Sequence, residues 1–312
     1  MTAFTSQFTK LSLPNLGLVR FPRVTIAKQD KVALGLKPTA DNRTVLKHLA
    51  WAGYQTLKAK GAFDGIDETV VIERFKTEFA TFDKTGVHDY LLLVWDCCRW
   101  AQQQGIVSGW GRGSAGGSLV NQCLGIVRVN PLRYHLDFPR FISEARMKPV
   151  VKDGVTYVDG KTAPDIDCDF QYGRRAEVVN YIEQTYPGRT CRISTRMELT
   201  GKMALKTALK VYADWKDEDA QRVSDMIEAR FGKVQGLHEA RYGDGKDRAP
   251  NDAIVKWIAA SKMNEDIYNV AMAIEGLAVG KGQHPSGVFI GYHPLDGTVP
   301  VEVAKEKGGV PT

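Results

Sequence analysis

The chain has 312 residues, 43% of them hydrophobic, enough to bury a core as one large or two modest domains. No apolar run approaches about 18 residues, so no membrane span is expected, and the opening MTAFTSQFTKLSLP lacks the charged start and apolar centre of a secretion signal. The net charge is only +6, yet residues 1–60 hold ten Lys/Arg against two Asp/Glu, and Arg174–Lys210 holds eight against three. That distribution suits a polyanion such as nucleic acid, and a solvated surface accounts for each run separately.

In chain order, residues 1–40 read as a basic, extended lead-in with Pro14, Pro22 and Pro38. From Asp41 the spacing of Val45, Leu46, Leu49 and Leu57 predicts a helix ending at Gly61. A second helix runs from about Asp67, with Val71, Phe75, Phe79 and Phe82 on one stripe, and stops near Gly86. A third begins after Asp89 as its cap and stops at Gly105. GIVSGWGRGSAGGSLVNQCLGI then reads as a short strand, a glycine-rich turn and a helix.

Two β-prone runs joined by Asp153-Gly154 predict a hairpin over 147–162. Next come the aspartate-bearing APDIDCDF, a helix in RRAEVVNYIEQTY, a strand in RTCRIST and a helix over 197–215. Residues 216–266 read as mainly helical and polar, and SGVFIGYHPLDGTVPVEV returns to strand. A helical insertion between two mixed α/β stretches points to two lobes. The cysteines, Cys97, Cys98, Cys123, Cys168 and Cys191, form no CxxC pair and read as reduced thiols of a cytoplasmic protein, with Cys97 and Cys98 packing a helix.

APDIDCDF carries the first chemical signal. In a strand, Asp165, Asp167 and Asp169 share one face, while Ile166, Cys168 and Phe170 share the other. Like charges on one face repel, and a divalent cation with oxygen ligands offsets that cost. An edge strand facing water, or an Asx turn after Pro164, explains the same residues.

Gly109–Ser118 offers backbone N–H groups without Cβ obstruction ahead of a helix N-terminus, with Ser114 and Ser118 as hydroxyl donors and Arg112 as a charged fork for phosphate. Gly111–Gly116 fits GxGxxG, but no acidic residue stands about twenty residues on at a second strand. Alone, the segment reads as a flexible turn. A Gly-Ser turn opening a helix, followed by Asp-x-Asp on a strand, is how a nucleotidyltransferase site is assembled.

The run from Asp89 to Ser143 resembles the palm of the bacterial replicative DNA polymerase III alpha family, the C family of DNA polymerases. PDIDCDF is similar to the metal-binding strand of that family, GKMALKTALKVY to its lysine-bearing helix, and IEGLAVGKGQHPSGVFIG to a later segment. The resemblance runs from about Phe21 to Thr312. It implies an α/β fold, a DNA polymerase beta-like nucleotidyltransferase palm (41–194) with a helical thumb-like lobe inserted at 195–275 and a return to the palm at 276–312.

By position, the resemblance implies catalytic, Mg²⁺-binding roles for Asp167 and Asp169, with Asp165 a neighbour that raises negative potential. Arg112, Gly113, Ser114, Arg140, Arg146, Lys206 and Lys210 fall where the nucleotide triphosphate would be held. His284 lies in a matching motif, with a structural role as plausible as a catalytic one. The implied reaction is two-metal transfer of a deoxynucleotide from dNTP to a primer 3′-hydroxyl on primer-template DNA, without a protein general base.

Several departures bear on this reading. Trp110 stands where the family has proline, and Gly116 where it has alanine; the 147–162 hairpin is an insertion. On this reading the family's amino-terminal polymerase-and-histidinol-phosphatase domain is not expected within these residues, so no activity of that domain is assigned. KEKGGVPT resembles the segment just before a third catalytic aspartate. The expectation is therefore a chain weak or inactive alone: a truncated piece, one half of a split polymerase whose C-terminal half supplies the third carboxylate and fingers, or an upstream product awaiting protein splicing. Two other classes remain open, a non-catalytic DNA-binding or assembly subunit and a small-substrate nucleotidyltransferase.

Overall fold

The computed structural model describes residues 17–230, 232–246, 248–296 and 301–302. The chain divides into two units: one runs to Cys191 and resumes at Val288, and the other is Arg192–Gly287. The fold is mixed α/β, with many helices and small sheets.

In the first unit, β1 (Leu18–Val19) and the short α1 (Lys28–Ala33) precede three long helices, α2 (Asn42–Ala59), α3 (Glu68–Thr85) and α4 (His88–Gln103). Asp41 and Asp67 cap α2 and α3 by accepting from Thr44 N–H and Thr69 N–H, which satisfies donors the helices leave open. Helix α3 ends on Gly86 at φ +69°, a left-handed position that glycine adopts without a Cβ penalty. The start of α4 differs from expectation. Its cap position is Val87, and Asp89 lies inside the first turn, where its carboxylate accepts from Val24 N–H at 2.9 Å and from the Asn42 amide. Asp89 thus fastens the lead-in and the start of α2 to α4.

The stripe Val71, Phe75, Phe79 and Phe82 is buried, and Phe82 meets Phe79 and Phe138 edge-on at 5.7 and 5.8 Å. With Leu46, Tyr54, Leu91, Leu92 and Leu119 these rings form one continuous core. At its centre sits α5 (Leu119–Cys123), which has room beside α2 only because residue 53 is glycine. A Cβ there would stand 1.8 Å from the Cys123 carbonyl oxygen.

After α6 (Glu144–Met147), the hairpin forms as expected: β2 (Val150–Lys152) pairs antiparallel with β3 (Val155–Asp159), in the register Val150 to Tyr157 and Lys152 to Val155. Asp153 and Gly154 both have positive φ, the turn geometry that suits strand twist. Strand β1 pairs with the other edge of β3. Helix α7 (Arg175–Thr185) follows the aspartate segment.

The helix expected over 197–215 begins later. Strand β4 (Thr190–Glu198) runs past the predicted end of RTCRIST, and α8 (Gly201–Thr207) starts after Thr200 before widening into a π-helical turn at Ala208–Tyr212. Strand β4 pairs with β7 (Ala278–Ile290), which begins well before Ser286. Of the strand expected over 286–303, residues 291–296 are turn and bend, while 297–300 and 303 lie outside the described residues. KEKGGVPT and the first 16 residues also lie outside them.

The second unit packs α8, α9 (Asp217–Ser224), α10 (Leu237–Tyr242), α11 (Asp252–Ala259) and α12 (Lys262–Ile274) around Leu205, Leu209, Ile227, Ile254 and Ile267. A small hairpin of β5 (Ala229–Arg230) and β6 (Lys233–Val234) interrupts what the sequence pattern reads as helix. Among the described residues, no helix is long and apolar enough to cross a membrane.

Gly53→Ala must push α2 away from α5 or bend one of them, because a backbone carbonyl at 1.8 Å has nowhere to go. The expected result is destabilisation by about 1–3 kcal/mol or more, read as a lowered urea midpoint with an unchanged slope.

Candidate active site

The glycine-rich turn and the aspartate segment meet through the backbone. Gly109 N–H donates to the Asp169 carbonyl at 2.9 Å, Gln171 N–H donates to the Val107 carbonyl at 2.8 Å, and Ser108 and Phe170 form one antiparallel bridge between them. That bridge is the whole of the expected pairing. Residues 163–169 are an extended run without a ladder, not a strand within a sheet.

The alternation read from the sequence nevertheless holds. Asp165, Asp167 and Asp169 are exposed, while Ile166, Cys168 and Phe170 are half-buried against the core. The apolar face anchors the segment and the acidic face is left to water.

The turn lies against this acidic face. A Cβ on Gly109 would come within 3.0 Å of Asp169 Cβ, and one on Gly113 would lie 3.8 Å from Asp167 Oδ2. Gly111 (φ +118°) is pressed on Val127, where a Cβ would meet Cγ1 at 2.9 Å. Its glycines therefore serve close approach as well as backbone freedom.

Arg112 extends from the turn toward both carboxylates, with Nη2 3.8 Å from Asp167 Oδ2 and Nη1 3.4 Å from Asp169 Oδ1. All three side chains are half or more exposed, so each ion pair is worth little by itself. Their joint effect is to place positive charge where two carboxylates would otherwise repel each other. Among the described residues, no group of three or more His, Cys, Asp or Glu is arranged to hold a metal ion. The donor set here is two exposed carboxylates that already accept one shared cationic partner. It fits a hard divalent cation that completes its coordination with water and substrate phosphate.

The helix behind the turn does not behave as the sequence suggests. The N-terminus of α5 already holds an anion, the Glu78 carboxylate from α3. Ser118 Oγ–H donates to Glu78 Oε2 at 2.7 Å, Leu119 N–H to Oε1 at 2.8 Å and Val120 N–H to Oε2 at 3.1 Å. Arg74, one turn earlier on α3, donates from Nε to Glu78 at 2.8 Å and from Nη2 to the Gly117 and Leu136 carbonyls at 2.6 and 2.9 Å. Ser118 is fully buried and engaged, so it is no phosphate donor.

Burial pushes the Glu78 carboxyl above its ordinary range, and the Ser118, Leu119, Arg74 and Val120 donors pull it back. Gly117 has no space for a side chain, since a Cβ would meet the Asp137 carbonyl at 2.6 Å. Sequence reading missed Glu78. The available signal was an acid inside the stripe Val71, Phe75, Phe79, Phe82, four residues after an arginine.

The remaining expected residues divide by unit. Arg140 and Arg146 are exposed in the first unit and adjacent, Arg146 donating from Nη1 to the Arg140 carbonyl. Ser114 is half-buried in the turn. In the second unit, Lys206 and Lys210 do share a face, because both reach Asp217, at 2.9 and 2.7 Å; Lys206 also donates to Gln221. Together they hold the Asp217 carboxyl below its usual range. His284 Nδ1 accepts from Gly287 N–H at 2.8 Å, a local bond within β7.

Comparison with known proteins bears on this arrangement. The family model described as "Bacterial DNA polymerase III alpha NTPase domain" matches residues 44–312. The chain is 31% identical over 291 residues to "DNA polymerase III subunit alpha" of Bacillus subtilis (strain 168), covering 91% of this chain and 24% of that protein. It is 31% identical over 299 residues to the Thermus aquaticus protein of the same name, covering 92% and 23%, and 31% identical over 232 residues to that of Deinococcus radiodurans, covering 74% and 16%. The chain thus spans about a quarter or less of the length of these curated relatives.

Glu78→Ala leaves the Ser118 hydroxyl, two N–H groups and Arg74 without their common acceptor. Removing one partner of a buried pair costs about 3–5 kcal/mol. Equilibrium denaturation of the variant is expected to show a loss of that size, with Glu78→Gln recovering part of it.

Proposed function

The chain belongs to the bacterial DNA polymerase III alpha family, and from that premise we propose that it forms the palm and thumb-like part of a template-directed DNA polymerase. The first unit is read as the palm and the helical second unit as the thumb-like lobe. The observation that carries the proposal is the pair Asp167 and Asp169, exposed and side by side beneath a glycine turn whose arginine reaches both.

In this reading Asp167 and Asp169 hold Mg²⁺. Bound there, the metal would neutralise triphosphate charge and lower the pKa of the primer 3′-hydroxyl. The protein's own part is positioning. Gly109 and the Ser108–Phe170 bridge fix the carboxylates against the turn. The backbone at Gly113, with Ser114 and Arg112, receives the dNTP phosphates; Arg112 exchanges its carboxylate partners for phosphate oxygens. Arg140 and Arg146 add positive charge for the same phosphates. Lys206 and Lys210 make phosphate contacts in exchange for Asp217. The helix N-terminus of α5 takes no part, because Glu78 occupies it.

Primer-template DNA is held mainly through phosphates by the basic 174–210 stretch and the helical unit, so binding weakens steeply with salt.

Asp167→Asn and Asp169→Asn are expected to weaken Mg²⁺-dependent dNTP binding to this chain at least tenfold, measured by titration calorimetry, while leaving the fold intact. Unchanged binding in both variants would overturn the site assignment. Transfer to a small acceptor without template would instead favour a small-substrate nucleotidyltransferase.

A further inference from the structure

The apolar face of the aspartate segment carries a group that the proposed reaction does not use. Cys168 lies between Asp167 and Asp169 and points inward, where its Sγ stands 3.8 Å from Sγ of Cys98 on α4. The two residues are 70 positions apart in sequence, so the contact is made by the fold. Cys98 is buried and Cys168 is half-buried, and both are free thiols.

We infer that Cys98 and Cys168 form a redox modification site, a reversible disulfide that ties the aspartate segment to α4. Two features support closure. A disulfide requires the sulfurs to approach to about 2.05 Å, a movement of less than 2 Å from the observed contact. The segment that must move has no ladder, and its nearest sheet-like pairing is the single Ser108–Phe170 bridge.

The oxidant is a low-molecular-weight disulfide. Cys168, the more accessible thiol, loses its proton to solvent and attacks one sulfur of the oxidant, whose S–S bond breaks to release one thiol after protonation. Cys98 then attacks the Cys168 sulfur of the mixed disulfide, its proton passing to the departing thiolate, which leaves as the second thiol. The protein gives up two electrons and two protons, and the oxidant becomes two thiols. Because Asp167 and Asp169 flank the modified residue, the bond would hold their backbone in one position. That consequence rests on the function proposed above; bond formation does not.

The test is to incubate the chain with oxidised glutathione, count free thiols and map disulfides by peptide mass spectrometry without reduction. The expected result is a fall from five free thiols to three, a Cys98–Cys168 linked peptide, return to five with dithiothreitol, and a higher unfolding midpoint for the oxidised form. Cys98→Ala is expected to stop at a glutathione adduct on Cys168, and Cys97→Ala to form the bond as the parent does. Five thiols persisting, or linkage of Cys168 to Cys97 in the parent, would overturn the proposal. As a separate readout, Mn²⁺ affinity of the reduced and oxidised forms is expected to differ at least threefold. Equal affinity, with the bond formed, would overturn the consequence for the aspartates and leave the disulfide standing.

Discussion

A buried carboxylate organises the first unit. Glu78 has left water entirely, and such a charge is tolerable in a protein interior only if it is fully paired. Its partners are the opening of α5 and the guanidinium of Arg74, which in turn accounts for two carbonyls of the loops on either side. Two side chains from α3 therefore share the work: Glu78 decides where α5 begins, and Arg74 how the glycine turn ends at Gly117 and how Leu136 is held. Because a half-satisfied network of this kind is worse than an apolar core, its members stand or fall together.

The acidic site is built against that frame with little regular structure of its own. The turn is held at one end by the Glu78 network and at the other by the backbone pairing of Val107–Gly109 with Asp169–Gln171. The aspartate segment gains its order from Ile166, Cys168 and Phe170 packing inward, not from a sheet. Exposure of the carboxylates follows directly. Apolar alternate residues hold the chain down, and the acids have only water, Arg112 or a cation to face.

Some of this was legible in advance because it depends on neighbours in sequence. Asp41 and Asp67 cap helices through bonds two and three residues long, and Asp153-Gly154 turns a hairpin by its own backbone preference. The inward and outward faces of APDIDCDF come from a two-residue period that survives even where no ladder forms. Asp89, Ser118 and Glu78 were misread or missed for the opposite reason. Asp89 looks like a cap until Val24 and Asn42 arrive from elsewhere in the chain. Ser118 looks like a phosphate donor until Glu78, 40 residues away, takes its hydroxyl. The later start of α8 has the same origin, since Met197 and Glu198 are claimed by β4 in its pairing with β7.

The sequence by itself determined the family, the helical stripes, the turn residues, and the presence of a glycine-rich segment and of alternating aspartates. Each of these is written in local spacing or residue type. Only the tertiary structure decided which anion sits on the α5 N-terminus, that Arg112 lies before both Asp167 and Asp169, and that Cys168 faces Cys98 behind them. These are contacts between residues roughly 40 to 70 positions apart. No local periodicity encodes them, because they form when helices and loops pack and buried charge must find its partner.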